Sequence, residues 1–462
     1  MRQCQALKPL LCITAVVIIF SATGCNFPKD HLQTFNRFYE SSDYTNCACF
    51  AQNKLKCRKT PAGEDLLWTV QLGSVERIRH DCNKSTEYFD KAEDMLKYFD
   101  EQSKIIDAIG SIAVNDNIVT YKGEEYDGVM INTYKALNFM HQGNFDLARV
   151  EFNRALDRQR RAKEKFSEEI NKFKFDLEKR QKGNPNIKSS VENPKVQELL
   201  KTKYLGLYDF IAYPDFVNPF ATYMAGIYFH IIGEYDKAAD FFKESYGMVP
   251  DNLYIADDLA AAEMILDGNK KPESTVWVVF ENGLGPIKDE FRLDLPLFVA
   301  TNQVKYVGIA LPKLRLRDAA YPFLTVAADG VNYDTVVIAD MDRVVQTEFN
   351  KDFPTILTRA IISATVKAAA QYAMEQQQNG SITSTLMAIY SFATTAADVR
   401  IWTTLPKNFQ VAKFKKPANG TIGINNLGTY SFSLNIPDCN NAIVYIRIPN
   451  RVAAPVYDVM TF

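Results

Sequence analysis

The sequence predicts an α + α+β chain, in which a helical-hairpin domain over residues 64–271 is followed by a mixed β-sheet domain with two helices over 272–462. Small and aromatic residues recur at one spacing in three stretches of the first part. Short runs rich in Val, Tyr and Phe and ended by Gly, Pro or Asp, which are typical of strands, occupy most of the second part. The two patterns meet near Lys271, where we place the domain boundary.

The first 24 residues predict an export signal. A charged start precedes the apolar run Pro9–Phe20, which is shorter than the roughly 20 residues of a membrane-spanning helix. Small residues then lead directly to Cys25. An ordinary signal peptide that happens to end near a cysteine is the alternative interpretation.

The stretch before Cys25 resembles the lipobox of bacterial lipoproteins, although Ala22 stands where that family usually has Leu. The resemblance implies cleavage before Cys25, lipidation of its sulfur by a diacylglycerol, acylation of the new amine by a fatty acid such as palmitate, and anchoring in the bacterial cell envelope. Asn26 favours the outer membrane, with the protein facing the periplasm. The bacterial membrane is thus the first predicted partner.

Residues 25–63 are predicted to form a tether with a cysteine cluster. Export into oxidising conditions favours disulfides. The candidates are Cys47, Cys49, Cys57 and Cys82, which allow two bridges in three connectivities. A metal site that includes His80 and a set of free thiols are the alternatives. Cys439 is predicted to be a buried apolar residue.

Composition and motifs limit the classes of function. The net charge of −2 provides no basic field, so no nucleic-acid partner is expected. The sequence contains no P-loop, nucleophile elbow or zincin helix, and its four histidines lack the spacing of a triad or metal cage. We therefore predict that the chain is not an enzyme and that it uses neither a cofactor nor a metal.

Three stretches of the first part share one spacing: a small residue, another twelve later, an aromatic four after that, and a further small residue. The first copy has Gly73, Ser85, Phe89 and Ala92, the second has Ala136, Ala148, Phe152 and Ala155, and the third has Gly226, Ala238, Phe242 and Ser245. The pattern resembles the tetratricopeptide repeat (TPR), whose small residues let two antiparallel helices cross closely. The copies are not in tandem, so inserted segments must complete the helical stack.

A single long helix is predicted from Phe145 to Gly183, and it would extend about 55 Å at 1.5 Å per residue. Phe166 and Phe173 lie in a one-sided apolar seam along it. The seam either docks a partner or packs against the chain's own repeats.

In the second part, strands are predicted in seven runs, four between 274 and 340 and three between 409 and 449. Between these groups, one helix is predicted to begin at Pro354 and end near Gln376, and another to span 382–395. The stretch "ENGLGPIKDE" is interpreted as a turn rather than a phosphate loop. In "AADVRIWTTLP", Asp398 and Arg400 are predicted to pair, with Trp402 either a structural pin or an exposed binding hot spot.

The order of "YKALNF", "FENGLGPIK", "ALP" and "ADVRIWTTLP" is similar to that in a family of uncharacterised bacterial envelope lipoproteins with TPR repeats. The resemblance covers roughly Glu64 to Pro406 and implies a repeat domain followed by a β-rich domain. It brings no substrate and no catalytic residues.

We predict an envelope-anchored scaffold or assembly factor whose hairpins bind one or more envelope proteins in a groove. The candidate partner-binding residues are Tyr223, Phe229, Tyr235, Phe166, Phe173, Arg400 and Trp402. The alternative is a carbohydrate- or cell-wall-binding module, or an unidentified enzyme, in the C-terminal domain. A polar pocket near Lys288 or Arg400 with shifted carboxylates would favour that alternative.

Overall fold

The computed structural model describes residues 28–56, 60–109, 121–183, 185–203, 212–213, 216–300, 303–376 and 396–462. The leader, Cys25, Cys57 and the helix predicted over 382–395 lie outside these residues. The predictions for them therefore stay predictions.

The first part of the chain is helical. Its helices are α1 (Pro28–Glu40), α2 (Tyr44–Gln52), α3 (Gly63–Ile78), α4 (Cys82–Ile109), α5 (Glu125–His141), α6 (Phe145–Gly183), α7 (Pro185–Val191), α8 (Pro194–Lys203), α9 (Pro219–Ile231), α10 (Tyr235–Met248) and α11 (Leu253–Leu266). Three hairpins, α3–α4, α5–α6 and α9–α10, coincide with the three predicted copies of the repeat spacing.

Close helix crossings explain the small residues of that spacing. A Cβ added at Gly73 would lie 2.4 Å from the ring of Phe89, and one added at Gly226 would lie 2.6 Å from the ring of Phe242. Real Cβ atoms essentially never come that close, so a larger residue would push the paired helices apart. The predicted pairing of a small residue with an aromatic ring is confirmed in both hairpins.

The second part of the chain contains the strands. They are β1 (Thr275–Asn282), β2 (Ile287–Ala300), β3 (Gln303–Arg315), β4 (Thr325–Ala328), β5 (Val331–Asp334), β6 (Val336–Asp340), β7 (Asn408–Lys415), β8 (Thr421–Asn425), β9 (Phe432–Asn435), β10 (Ala442–Ile448) and β11 (Val456–Thr461), with α12 (Met341–Gln376) between β6 and β7. The central sheet has the order β11-β10-β1-β7-β6 and is mixed, because β1 is parallel to β10 and antiparallel to β7. A two-stranded sheet, β2-β3, and a four-stranded sheet, β5-β4-β8-β9, flank it.

The prediction that a helix begins at Pro354 is wrong, because α12 begins at Met341 and contains Pro354 in its interior. The backbone N–H of Arg343 donates to the carboxylate of Asp340, 3.3 Å away, and this helps to cap the first turn. Sequence reasoning took Pro354 as a first-turn proline and overlooked Asp340 as an N-terminal cap.

Helices and sheets share one contiguous apolar core. It runs from Leu32 in α1 to Met460 in β11 and includes residues of all three hairpins and of the central sheet. Strands β1 and β10 are buried along their whole length, as expected for the inner strands of a sheet covered on both faces. The helical and β-rich parts are therefore stabilised by the same buried surface.

Candidate functional site

The central sheet covers the inner side of the helical hairpins. Phe220 of α9 stacks on Phe409 of β7, with ring centroids 3.5 Å apart. The indole Nε1 of Trp277 donates to the carboxylate of Asp258 at 3.3 Å, and the Tyr223 hydroxyl donates to the same carboxylate at 2.6 Å. The first helices of the hairpins, α3, α5 and α9, are consequently buried along most of their length. The chain itself fills the groove that was predicted to receive a partner.

Residues 396–407, here called the plug, also occupy the groove on the inner side of the hairpins. Trp402 in the plug packs against the stacked rings of Phe89 and Tyr134, at centroid distances of 5.8 and 6.0 Å. Its Nε1 donates to the hydroxyl oxygens of Ser74, at 2.9 Å, and Thr404, at 2.8 Å. Trp402 is therefore the structural pin, and the alternative that it is an exposed hot spot is wrong.

The remaining contacts of the plug link the stretch "AADVRIWTTLP" to the stretch "ENGLGPIKDE". Arg400 pairs with Asp398 at 2.7 Å, as predicted, and its guanidinium lies over the ring of Tyr121. The backbone N–H of Gly285 donates to the carbonyl of Leu405 at 2.8 Å. The stretch "ENGLGPIKDE" is a turn leading into β2, as predicted, and it packs directly against "TTLP" of the plug.

Most of the predicted partner-binding side chains lie in the interior. The buried ones are Tyr223, Phe229, Phe166, Phe173, Arg400 and Trp402, all at most 9% exposed, whereas Tyr235 is half-buried against His230. The assignment of the six buried residues to partner binding is therefore corrected. The physical reason is that the same aromatic residues that would suit a binding groove are used to bury the sheet and α12.

The long helix α6 follows the predicted bounds, and its seam packs on the chain itself. The Phe166 ring contacts Phe216 with centroids 4.9 Å apart, and Arg359 of α12 lies over the ring of Phe173. The seam is therefore buried within the chain, but its rings contact later segments rather than the repeats on which it was predicted to pack.

The cysteine cluster contains free thiols. Cys47, Cys49 and Cys82 form no disulfide in the described part of the chain, so the predicted bridges among them are not present. Burial raises the pKa of the Cys47 and Cys82 thiols. His80, which the alternative of a metal site would have used as a ligand, contacts Asp458, 2.7 Å from its Nδ1. Cys439 is half-buried and also free.

One layer of the molecule presents exposed aromatic side chains that the sequence analysis did not single out. This side layer consists of β2, β3, α7, α8, α12 and the second half of α6, which pack on one another. The backbone N–H of Phe298 donates to the Ser190 hydroxyl, and the Asn193 amide donates to the carbonyl of Pro296. These bonds hold α7 and the loop after it to the edge of β2. Phe175 on α6 is 69% exposed and Tyr306 on β3 is 73% exposed. Phe175 is two residues from the buried Phe173, so a helix-face assignment that separates the two positions would have found it.

A polar pocket lies where the hairpins meet the central sheet. Its lining includes Arg77 of α3, Tyr134 of α5, Glu281 of β1, and both Tyr445 and Arg447 of β10. The cavity has a volume of about 30 Å³, which is room for two or three water-sized groups. We call it the junction pocket.

The two guanidinium groups of the junction pocket have different partners. Arg447 pairs with Glu281 at 3.3 Å and donates through Nη2 to the carbonyl of Thr404 at 3.1 Å. Arg77 donates to the amide oxygen of Asn138 at 2.7 Å and lies against the faces of Tyr134 and Tyr445. Burial by itself would lower the pKa of Arg77, but Tyr445 and Glu281 raise it. Arg77 therefore stays charged.

Buried carboxylates join the hairpins to α12 and β2. Glu348 of α12 accepts hydrogen bonds from the backbone N–H groups of Glu125, at 2.7 Å, and Tyr126, at 3.3 Å, which caps the N-terminus of α5. Lys288 of β2 lies 2.6 Å from the carboxylate of Glu124. Burial, followed by the charge of Glu124, raises the pKa of Glu348 well above its usual range.

Asp127 belongs to the same region. Its carboxylate accepts hydrogen bonds from the Tyr121 hydroxyl and from the backbone N–H of Glu124, both at 2.9 Å. Burial is the main cause that raises the pKa of Asp127 to about 7. A polar pocket near Lys288 or Arg400 with shifted carboxylates was the expected mark of an enzyme or a carbohydrate-binding module in the C-terminal domain. Here these groups accept hydrogen bonds that fix the start of α5.

Comparison with known proteins finds partial similarity to solved structures of low identity. No family model and no curated protein matches the chain. Among solved structures, one described as MamA MSR-1 C2 is 11% identical with a TM-score of 0.26, covering 52% of this chain and 86% of that chain. A tetratricopeptide repeat protein from Parabacteroides merdae is 10% identical with a TM-score of 0.14, covering 51% and 98%. No helix in the described ranges is both long and apolar enough to cross a membrane.

Proposed function

We propose that this protein is a non-catalytic interaction scaffold of the bacterial envelope, held by a lipid on Cys25, and that its side layer contacts a partner protein. The TPR-type hairpins serve in this proposal as a rigid support rather than as a peptide groove. The observation that carries the proposal is the strong exposure of Phe175 and Tyr306. Large aromatic side chains exposed on a rigid support are the kind of residue that dominates binding energy in protein interfaces.

The structure supports this choice because the inner side of the hairpins is occupied. A partner peptide entering there would have to displace Trp402 and Phe409, which are at most 2% exposed. Expelling two such rings would cost several kcal/mol before any new contact formed. Contact through side chains that are already exposed carries no such cost.

Site-specific crosslinking in intact cells tests the proposed surface. A photoreactive amino acid would replace Phe175 or Tyr306 in turn, and crosslinked proteins would be identified by mass spectrometry. The matched control places the same group at Lys243, which is exposed on α10 and outside the side layer. We expect one envelope protein to be captured from the side-layer positions and not from Lys243. The same capture at all three positions would refute the surface assignment.

The proposed anchor is tested separately. Cells grown with an alkyne-labelled fatty acid should label the wild-type protein and the Cys49→Ser variant, but not Cys25→Ser. Cys49 is the suitable control because its thiol is exposed and free. Loss of the label in Cys49→Ser, or label retained in Cys25→Ser, would contradict the lipoprotein assignment.

A further inference from the structure

The junction pocket has the chemistry of a binding site that is separate from the side layer. The pocket lies between α3, α5 and strands β1, β10 and β11, and its lining combines two arginines with several tyrosines. Tyr457 lines it as well and is 43% exposed. The pocket is thus lined by buried charged groups and by the partly exposed aromatic side chain of Tyr457.

The carboxylates that line the pocket already have partners. Glu281 pairs with Arg447 and accepts the hydroxyl of Tyr445. Asp458 lies 2.7 Å from the ring nitrogen of His80. Neither carboxylate is therefore available as the direct counterion of Arg77.

The guanidinium groups of Arg77 and Arg447 are incompletely paired. Among the described residues, Arg77 contacts the amide oxygen of Asn138 and the side chains of Tyr134 and Tyr445, and no carboxylate lies within ion-pair distance of it. The Nη1 of Arg447 is buried and has no hydrogen-bond partner among the described residues. A buried donor without a partner costs free energy, so the pairing of Arg447 is incomplete. Arg77 thus lines the pocket without an ion pair to a described carboxylate, although Glu281 acts on its charge at longer range.

We propose that the junction pocket binds a carboxylate group carried by a small molecule or by the end of a chain, with Arg77 as its main ionic contact. A planar carboxylate matches the fork of donors on a guanidinium. The cavity of about 30 Å³ accommodates the carboxylate itself, and the rest of the ligand would extend past Tyr457. Glu281 disfavours a doubly charged phosphate, because a second negative charge would lie close to its carboxylate.

Ligand titration of the full-length protein in detergent, followed by ligand-observed NMR, tests the proposal. The probes are acetate, for a free acid, and N-acetylglycine, for a chain end. N-acetylglycinamide is the neutral control, and inorganic phosphate at the same ionic strength is the competing anion. We expect acetate or N-acetylglycine to saturate a single site, N-acetylglycinamide not to bind, and phosphate to bind more weakly. Saturation by acetate alone points to a small acid, whereas tighter binding of N-acetylglycine points to a chain end.

Variants assign the binding to the pocket. Arg77→Gln should weaken carboxylate binding about tenfold or more, because it removes a charge-assisted hydrogen bond. Arg77→Lys keeps the charge and the fold while losing the planar fork, so an intermediate loss is expected. Arg161→Gln, which removes an exposed charge on α6, should leave binding unchanged.

Three results would overturn the proposal: no saturable binding of either carboxylate, tighter binding of phosphate than of acetate, or undiminished binding in both Arg77 variants. The proposed scaffold function is independent of these results, because its crosslinking positions lie in the side layer. Crosslinking and ligand binding can therefore fail separately.

Discussion

Replacement of Trp402 by alanine should separate the hairpins from the sheet more effectively than any other single substitution in the plug. Its indole is 2% exposed, packs against the rings of both Phe89 and Tyr134, and donates to two hydroxyl oxygens. The ring therefore contributes both apolar burial and polar pairing to the junction.

The magnitude follows from these contacts. Truncation of a buried tryptophan to alanine costs about 3–5 kcal/mol, because the cavity it leaves is only partly refilled. Trp402→Phe keeps most of the ring but removes the N–H that serves Ser74 and Thr404, so we expect about 1–3 kcal/mol. The exposed substitution Tyr306→Ala should change stability by less than about 0.5 kcal/mol.

Urea unfolding measures this prediction. Far-UV circular dichroism follows the helices, and in a Trp68→Phe background, used for all variants, the remaining tryptophan fluorescence follows the sheet and the plug through Trp277 and Trp402. In the wild-type protein the shared core predicts coincident transitions for the two probes. The alanine variant should lower the unfolding midpoint and separate the two transitions. A change in unfolding free energy below about 1 kcal/mol for Trp402→Ala would refute the role of Trp402 as a pin.

Three further predictions test other parts of the structure. Gly226→Ala should destabilise the protein by about 1–3 kcal/mol in urea unfolding, because the new Cβ would lie 2.6 Å from the Phe242 ring; unchanged stability would contradict that crossing. The folded pKa of Asp127, about 7, exceeds the ordinary 3.8, so its stabilising contribution is complete below pH 4 and is lost as the pH rises through 7. Asp127→Asn should flatten the measured fall in unfolding free energy between these pH values, and an unaltered slope would count against the shift. A maleimide probe should label Cys49 in the native protein and Cys47 only in denaturant, without reductant; native protection of Cys49 that reductant removes would indicate a disulfide.

The hairpins and most strands could be predicted from the sequence because their determinants are local. Gly226 and Phe242 are close in the chain, and their spacing is imposed by the crossing of two adjacent helices. Asp398 and Arg400 are likewise near neighbours, and their predicted pair is present. Local patterns of this kind record the packing of adjacent segments.

The junction could not be predicted in the same way. Arg77, Glu281 and Arg447 come from three distant segments, and the pocket exists only because β1 and β10 pair beside α3. One signal was available, since Arg77 is a charged residue within the mostly buried helix α3. A charge in such a helix predicts a polar partner or a pocket, but the sequence does not specify which segment supplies it.

The amino-acid composition of α9 agrees with a groove that the chain itself fills. Helix α9, "PFATYMAGIYFHI", is apolar around nearly its whole circumference, and twelve of its thirteen residues are buried. A helix that faced solvent or a transient peptide on its inner side would carry polar residues there, whereas an all-round apolar helix is covered on every side. The composition of α9 is thus what a permanently covered repeat requires. The hairpins use their inner surface to hold the sheet, and contact with the proposed partner is therefore assigned to exposed side chains such as Phe175 and Tyr306.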